Sequence, residues 1–292
     1  DGLEVVSVDD YSAGKAKNLQ PFKKNVNLTE VNCDITDRLK LESFFEGVDI
    51  VFHEAVSKMT VCLKNPRRDL QINAEGTFNL LELSRDFGVK KFVHASTGSV
   101  YGEAKYYPTD EKHPVNPTSF YGVSKLAGEK YVRLFSEMFG IDSTILRYYH
   151  VYGPRQENSE VGGVVSIFAK LAMEGRPLTI FGDGTQLRSF TYVKDVVNIN
   201  KLVALTEGTT GEAYNCASGI KVTIKELADK VLKTLDKSDV PILYEDWKAG
   251  DIKIFDVDNA KVRNLGYEFE TPFESGLEAT LNWTRDYLCS EE

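Results

Sequence analysis

The feature that most constrains this chain is the stretch from Val89 to Gly153. Phe92, Val93 and Ala95 form a short apolar run that ends in Ser96 and Thr97. Such a run reads as a buried strand, and its length, bounded by polar turns, predicts a parallel sheet rather than a surface hairpin. A loop holding Pro108, Pro114 and Pro117 follows, and then a helix is predicted from Ser119 to Phe139, with Gly140 as its stop. Tyr121 and Lys125 lie four apart on that helix and so share one face. Ligands of open parallel sheets bind just beyond the carboxyl ends of the strands, where Ser96 and Thr97 are delivered.

That combination suits hydride chemistry on a secondary alcohol. A free tyrosine, with a pKa of about 10, is a weak base at neutral pH. A nearby ammonium and a cationic nicotinamide ring would favour the phenolate, which could then accept the alcohol proton. Thr97 would hold the substrate oxygen. Spacing alone selects nothing, because Tyr-x-x-x-Lys occurs four times, at Tyr11/Lys15, Tyr101/Lys105, Tyr121/Lys125 and Tyr244/Lys248. Only Tyr121/Lys125 sits on a long helical pattern after a strand ending in hydroxyl residues, and the other three lie beside turn-like sequence. The order strand–Ser–Thr, then Tyr-x-x-x-Lys, resembles the short-chain dehydrogenase/reductase superfamily.

The rest of the chain alternates strand and helix. Strands are predicted over 3–8, 27–32, 48–53 and 143–147, and helices over 39–45, 69–87, 161–174, 196–205 and 223–235. This alternation argues a doubly wound parallel α/β sheet. Asp195 is expected to cap the helix that follows it. Thr223, with Glu226 three residues later, predicts a capping box.

Composition narrows the partners. The 292 residues carry a net charge of −9, which argues against a general nucleic-acid or membrane-surface role. The four cysteines (Cys33, Cys62, Cys216, Cys289) are scattered, which fits a reducing, cytoplasmic compartment better than a disulfide framework. The four histidines show no metal-ligand spacing, and no apolar run approaches the roughly 20 residues of a membrane span.

Three further segments carry a more specific resemblance: Leu-Arg-Tyr-Tyr-His-Val-Tyr-Gly-Pro-Arg at 146–155, Gly-Asp-Gly-Thr-Gln-Leu-Arg-Ser-Phe-Thr-Tyr-Val-Lys-Asp at 182–195, and Lys-Ala-Gly-Asp at 248–251. With the Tyr–Lys helix, they make the chain similar to the NAD-dependent epimerase/dehydratase family, the extended branch of the superfamily, and within it to UDP-glucose 4-epimerase-like proteins. The resemblance implies a Rossmann-type NAD-binding domain over 1–150 and 188–217. It implies a smaller α/β domain for a nucleotide-diphosphate sugar over 151–187 and 218–292. It implies NAD as cofactor, with Thr97, Tyr121 and Lys125 catalytic. Asp9, Asp34, Ile35, Lys58, Asn73 and Tyr148 become cofactor-side candidates beside Tyr121 and Lys125. His150, Arg188 and Lys248 join Thr97 as substrate-side candidates. Lys58 reads almost equally well as a solvated loop lysine. The helices at 69–87 and 119–139 would pair with a second copy in a homodimer, although packing within one chain also explains their apolar faces.

Departures from the family pattern are informative. Glu54 stands where small or apolar residues are usual, His150 stands in place of Asn, and Lys248 in place of Arg. The strand before Asp9 matches the family's second strand, and no glycine-rich phosphate turn occurs ahead of it. The expectation is an N-terminally incomplete copy that holds NAD weakly and whose sheet lacks a central strand. The family's dehydratases carry Thr-Asp-Glu where this chain has Thr97-Gly98-Ser99, so epimerisation at C4 is expected. The alternatives are a 4-keto reductase, a decarboxylase, a dehydratase, or a non-catalytic sensor of dinucleotide or nucleotide sugar.

Overall fold

The structure is a computed structural model that describes residues 2–157, 159, 162–247 and 251–289. Its first half is built from β1 (Val5–Asp9), β2 (Leu28–Asn32), α1 (Arg38–Glu42), β3 (Ile50–His53), α2 (Met59–Lys64), α3 (Pro66–Leu70), α4 (Thr77–Asp86), β4 (Lys91–Thr97), α5 (Phe120–Phe139) and β5 (Ser143–Tyr148). Then follow β6 (Val151–Tyr152), α6 (Val164–Met173), β7 (Leu178–Phe181), β8 (Leu187–Tyr192), α7 (Val193–Leu205) and β9 (Glu212–Cys216). The chain closes with β10 (Ile220–Thr223), α8 (Ile224–Thr234), β11 (Ile242–Glu245), α9 (Ala260–Arg263) and α10 (Phe273–Cys289).

Parallel strands with helical crossovers dominate, as the alternation predicts. Around the first core they form the pair β1·β2 and the four-stranded order β3-β4-β5-β9, and the pairs β6·β8 and β7·β11 are parallel as well. All seven residues of β4 are buried. Phe92 and Ile145 face one core with Leu81 and Val132, whereas Val93 and Leu146 face another with Ile199 and Val203. That two-sided burial is why the strand reads as a continuous apolar run. β1 has no buried residue, and Val5 and Val6 are about half exposed.

A separate cluster gathers Val165, Phe168 and Ala169 of α6, Leu227 and Val231 of α8, Leu277 and Leu281 of α10, and Phe190 of β8. Here β8 is bonded between β10 and β6, and β7 pairs with β11. The chain rejoins the first core at α7, because Phe190 packs with the second cluster whereas Val196 and Ile199 pack on Val93 and Leu146.

Local signals explain the helix ends. Ser119 Oγ accepts the Gly122 N–H at the start of α5. Gly140 closes the helix at φ 71°, in the left-handed region that glycine enters without a side-chain clash. Thr223 and Glu226 form the full capping box of α8. Two expectations need correction. The helix of 69–87 begins earlier, at Pro66 with Asn65 as cap, and is interrupted by a π-helical stretch, Gln71–Gly76, before α4. Asp195 is no cap: α7 starts at Val193, placing Asp195 inside its first turn, where Oδ1 accepts a hydrogen bond from Tyr267.

Candidate active site

The carboxyl ends of β4 and β5 and the start of α5 meet where the sequence predicts. Thr97, Gly98, Ser99, Ser119, Tyr148, Tyr149, His150, Asp251, Ile252 and Phe255 line a cavity of about 200 Å³. Thr97 Oγ1 accepts the Ser99 N–H at 3.1 Å, which fixes its rotamer at the rim. Gly98 is obligatory here for space, because a Cβ would lie 2.2 Å from the Tyr149 ring.

Tyr121 and Lys125 project from the first turns of α5 behind this rim. Burial pushes the Tyr121 phenol up to about 12, and its interaction with Thr97 works in the opposite direction. Burial also pushes the Lys125 ammonium down to about 8, against the pull of Glu54, Glu129 and Asp69. The protein alone therefore does not favour a phenolate at neutral pH, since desolvation, with Asp69 and Cys62 acting the same way, outweighs the Thr97 hydrogen bond. Lys125 Nζ is buried and makes no hydrogen bond with protein. Such an atom calls for an acceptor from outside the chain, and a sugar hydroxyl of a dinucleotide meets that need. The residues present thus fit NAD on the side of its reacting ring.

A buried network holds this corner still. The Arg147 guanidinium grips Glu129 through Nε and Nη2, at 2.9 and 2.7 Å, and donates from Nη1 to the Tyr101 hydroxyl. Ser96 donates to Glu129, and the Tyr101 and Tyr149 hydroxyls both donate to Asn215 Oδ1. The strand residues flanking Thr97 and Tyr148 are thereby tied to α5 and β9.

The cofactor-side candidates divide. Asp9 ends β1 and accepts the Tyr11 N–H at 2.7 Å. Asp34 accepts the Thr36 N–H and hydroxyl and pairs with Arg68. Partial burial raises its carboxyl, but those hydrogen bonds outweigh it and the net shift is downward. Ile35 is buried in the first core rather than open to a groove. Lys58 precedes α2, and its ammonium is pushed down by burial against the pull of Glu157. The Asn73 amide is fully engaged inside the protein: it accepts the Ser57 N–H and donates to the Ser57 carbonyl, Asp69 and Ser124. It ties the loop after β3 to α5. The Tyr148 hydroxyl accepts from Asn200 at 2.6 Å and donates to Glu54 at 2.9 Å.

On the substrate side, His150 has φ 28° and a half-buried ring set edge-on to Phe190 and Phe255. Burial holds it neutral, reinforced by Arg188. The Arg188 fork is closed onto both oxygens of Asp251, at 2.8 and 2.9 Å. A diphosphate would have to share or displace that partner. Lys248 lies outside the described residues. Sequence reasoning missed Asp251, Phe255 and Asn200 as parts of the site. Asp251 was within reach of the motif at 248–251, whereas Asn200 and Phe255 carry no local signal.

Comparison with known proteins agrees with this geometry. Residues 1–217 match the family described as NAD dependent epimerase/dehydratase. The UDP-glucose 4-epimerase of Mycolicibacterium smegmatis is 33% identical over 291 residues, spanning 98% of this chain and 92% of the relative. The crystal structure of the Thermotoga maritima UDP-glucose 4-epimerase with UDP-glucose superposes with a TM-score of 0.92 at 35% identity, covering 98% of this chain and 92% of the other. A dTDP-glucose 4,6-dehydratase from Streptomyces venezuelae, solved with NAD bound, gives the same TM-score at 29% identity, covering 98% and 88%. The fold is thus shared by proteins named for different reactions.

Proposed function

The chain belongs to the NAD-dependent epimerase/dehydratase family, and we propose that it inverts C4 of a UDP-sugar through a transient 4-keto sugar. Tyr121 takes the proton of the C4 hydroxyl and later returns it, and Thr97 hydrogen-bonds the same oxygen. Lys125 offers its unpartnered ammonium to the cofactor side of the site. NAD, when bound, supplies the hydride acceptor and donor, and its cationic ring favours the phenolate that burial alone opposes.

One observation carries the choice of reaction. The positions after Thr97 are Gly98, pressed against the Tyr149 ring, and Ser99, bonded back to Thr97. Among the described residues lining the cavity only Asp251 is acidic, and Arg188 holds both of its oxygens. Elimination of water from C5 and C6 needs an acid and a base in addition to Tyr121, and this cavity offers neither in a free form. Hydride removal and return need no such pair.

A homodimer accompanies this reading. Phe120, Val123, Tyr131, Leu134 and Met138 recur along one face of α5 and are exposed, and Leu70 and Phe87 are exposed at the ends of the neighbouring helical segment. A second copy presenting the same two helices would cover them. The reaction is tested by incubating the protein and NAD with UDP-glucose, UDP-N-acetylglucosamine and UDP-glucuronate and separating the products by chromatography. The C4 epimer of one of them is expected, with no net NADH. A 4-keto-6-deoxy sugar or released carbon dioxide would refute it.

A further inference from the structure

Glu54 stands out in the loop after β3. It directly follows the last residue of that strand, yet its carboxylate reaches past the end of β4 to the side chain of Tyr148, the last residue of β5. The hydrogen-bond directions are fixed by their donors. Asn200 can only donate to Tyr148 through Nδ2, so the single Tyr148 hydroxyl proton goes to Glu54 Oε1, which acts as acceptor. Tyr148 lines the same cavity as Thr97. Glu54 is exposed to solvent, yet enough protein lies around its carboxyl group that desolvation raises its pKa, against the Tyr148 hydrogen bond and the pull of Lys125. Lys125 has its Nζ buried without a partner, and Glu54 is the foremost charge acting on it. The other groups that feel or hold Glu54 are Tyr148, Cys216 and, through Tyr148, Asn200.

We propose that Glu54 is a fixed counter-charge of the hydride-transfer site, held by Tyr148 and Asn200 beside Lys125, which makes the chain favour the oxidised nicotinamide dinucleotide over the reduced one. This rests on the NAD-dependent reading above. The oxidised ring carries a positive charge and the reduced ring is neutral. A site with Lys125 alone presents a net positive charge and favours the neutral, reduced form. Adding the Glu54 carboxylate cancels that bias, because its charge is opposite to that of Lys125. The consequence for an epimerase is a reset: the keto sugar is short-lived because the hydride is drawn back to it. The cost is a smaller pull on the Tyr121 proton.

The test is to titrate NAD and NADH separately into the purified chain and into Glu54→Gln, Glu54→Leu and Glu54→Asp, following NADH fluorescence and binding heat up to millimolar ligand. Glu54→Gln keeps the size and the acceptor for Tyr148 and removes only the charge. The expected result is that the Kd ratio of NADH to NAD falls by about ten-fold in the Gln and Leu variants and stays near the unmutated value in the Asp variant. An equal ratio in all four proteins would overturn the proposal, as would failure of the unmutated chain to bind either nucleotide. A shifted ratio in a protein that forms no C4 epimer would instead overturn the reaction reading alone and leave the role of Glu54 standing.

Discussion

Two arginine–carboxylate pairs flank this site and behave as opposites. Arg147 and Glu129 lie under the candidate site with side chains only 4% and 2% exposed, and besides each other they bond Tyr101 and Ser96, with Tyr101 in turn bonded to Asn215. Arg68 on α3 and Asp34 on the loop beyond β2 have side chains 28% and 31% exposed, and Arg68 also faces Asp10 on the loop beyond β1. The same chemistry thus builds a rigid wall in one place and an adjustable rim in the other. In the proposed reaction, the wall sits where proton and hydride positions must be held to fractions of an ångström. The rim lies on the weakly buried strand pair, where local turns and water share the work.

The sharpest way to break the comparison is at the wall's working face. Tyr121→Phe keeps the ring and removes only the hydroxyl. Turnover should fall by about 10² to 10⁴-fold while the melting temperature holds. A rate near that of the unmutated protein, measured on whichever sugar is epimerised, would remove Tyr121 from its role.

Next comes the wall itself. Glu129→Ala leaves the Arg147 guanidinium buried without its partner, a change that typically costs about 3–5 kcal/mol. Urea unfolding should show that loss, and activity should fall with it because Thr97 and Tyr148 are no longer anchored. A cost below about 1 kcal/mol would mean that the pair behaves like a surface bridge.

The smallest effect is expected at the rim. Arg68→Ala should change stability by only about 0–1 kcal/mol, the range of exposed pairs. Its pH dependence has a definite sign. The Asp34 carboxyl is held below its usual value by Thr36 and Arg68 despite partial burial, so the unfolded chain binds the proton more readily. The contribution is present above about pH 4, the unfolded value, and is lost as pH falls through the lower folded value. The difference between the variant and the unmutated protein should therefore shrink in acid melts. A difference that grew on acidification would show that Arg68 acts on some other group.

The sequence by itself determined the parallel α/β class, the strand ending at Thr97, the helix from Ser119 to Gly140 and the pairing of Tyr121 with Lys125. These are written in local patterns, namely an apolar run, a cap, a stop and an i,i+4 spacing, and local physics reads them directly. Only the tertiary structure decided what surrounds them. Asn73 acts as a tether that no local pattern shows, because its amide meets Ser57, 16 residues away, and Ser124, 51 away. Arg188 is clamped by Asp251 across 63 residues, and Glu54 meets Tyr148 across 94. Asp195 lies within a helix turn because α7 begins two residues before it and Tyr267 reaches it from a distant loop. No periodicity or spacing encodes such partners: they depend on which side chains the folded sheet brings together, and desolvation at those meetings sets the charges on which the site depends.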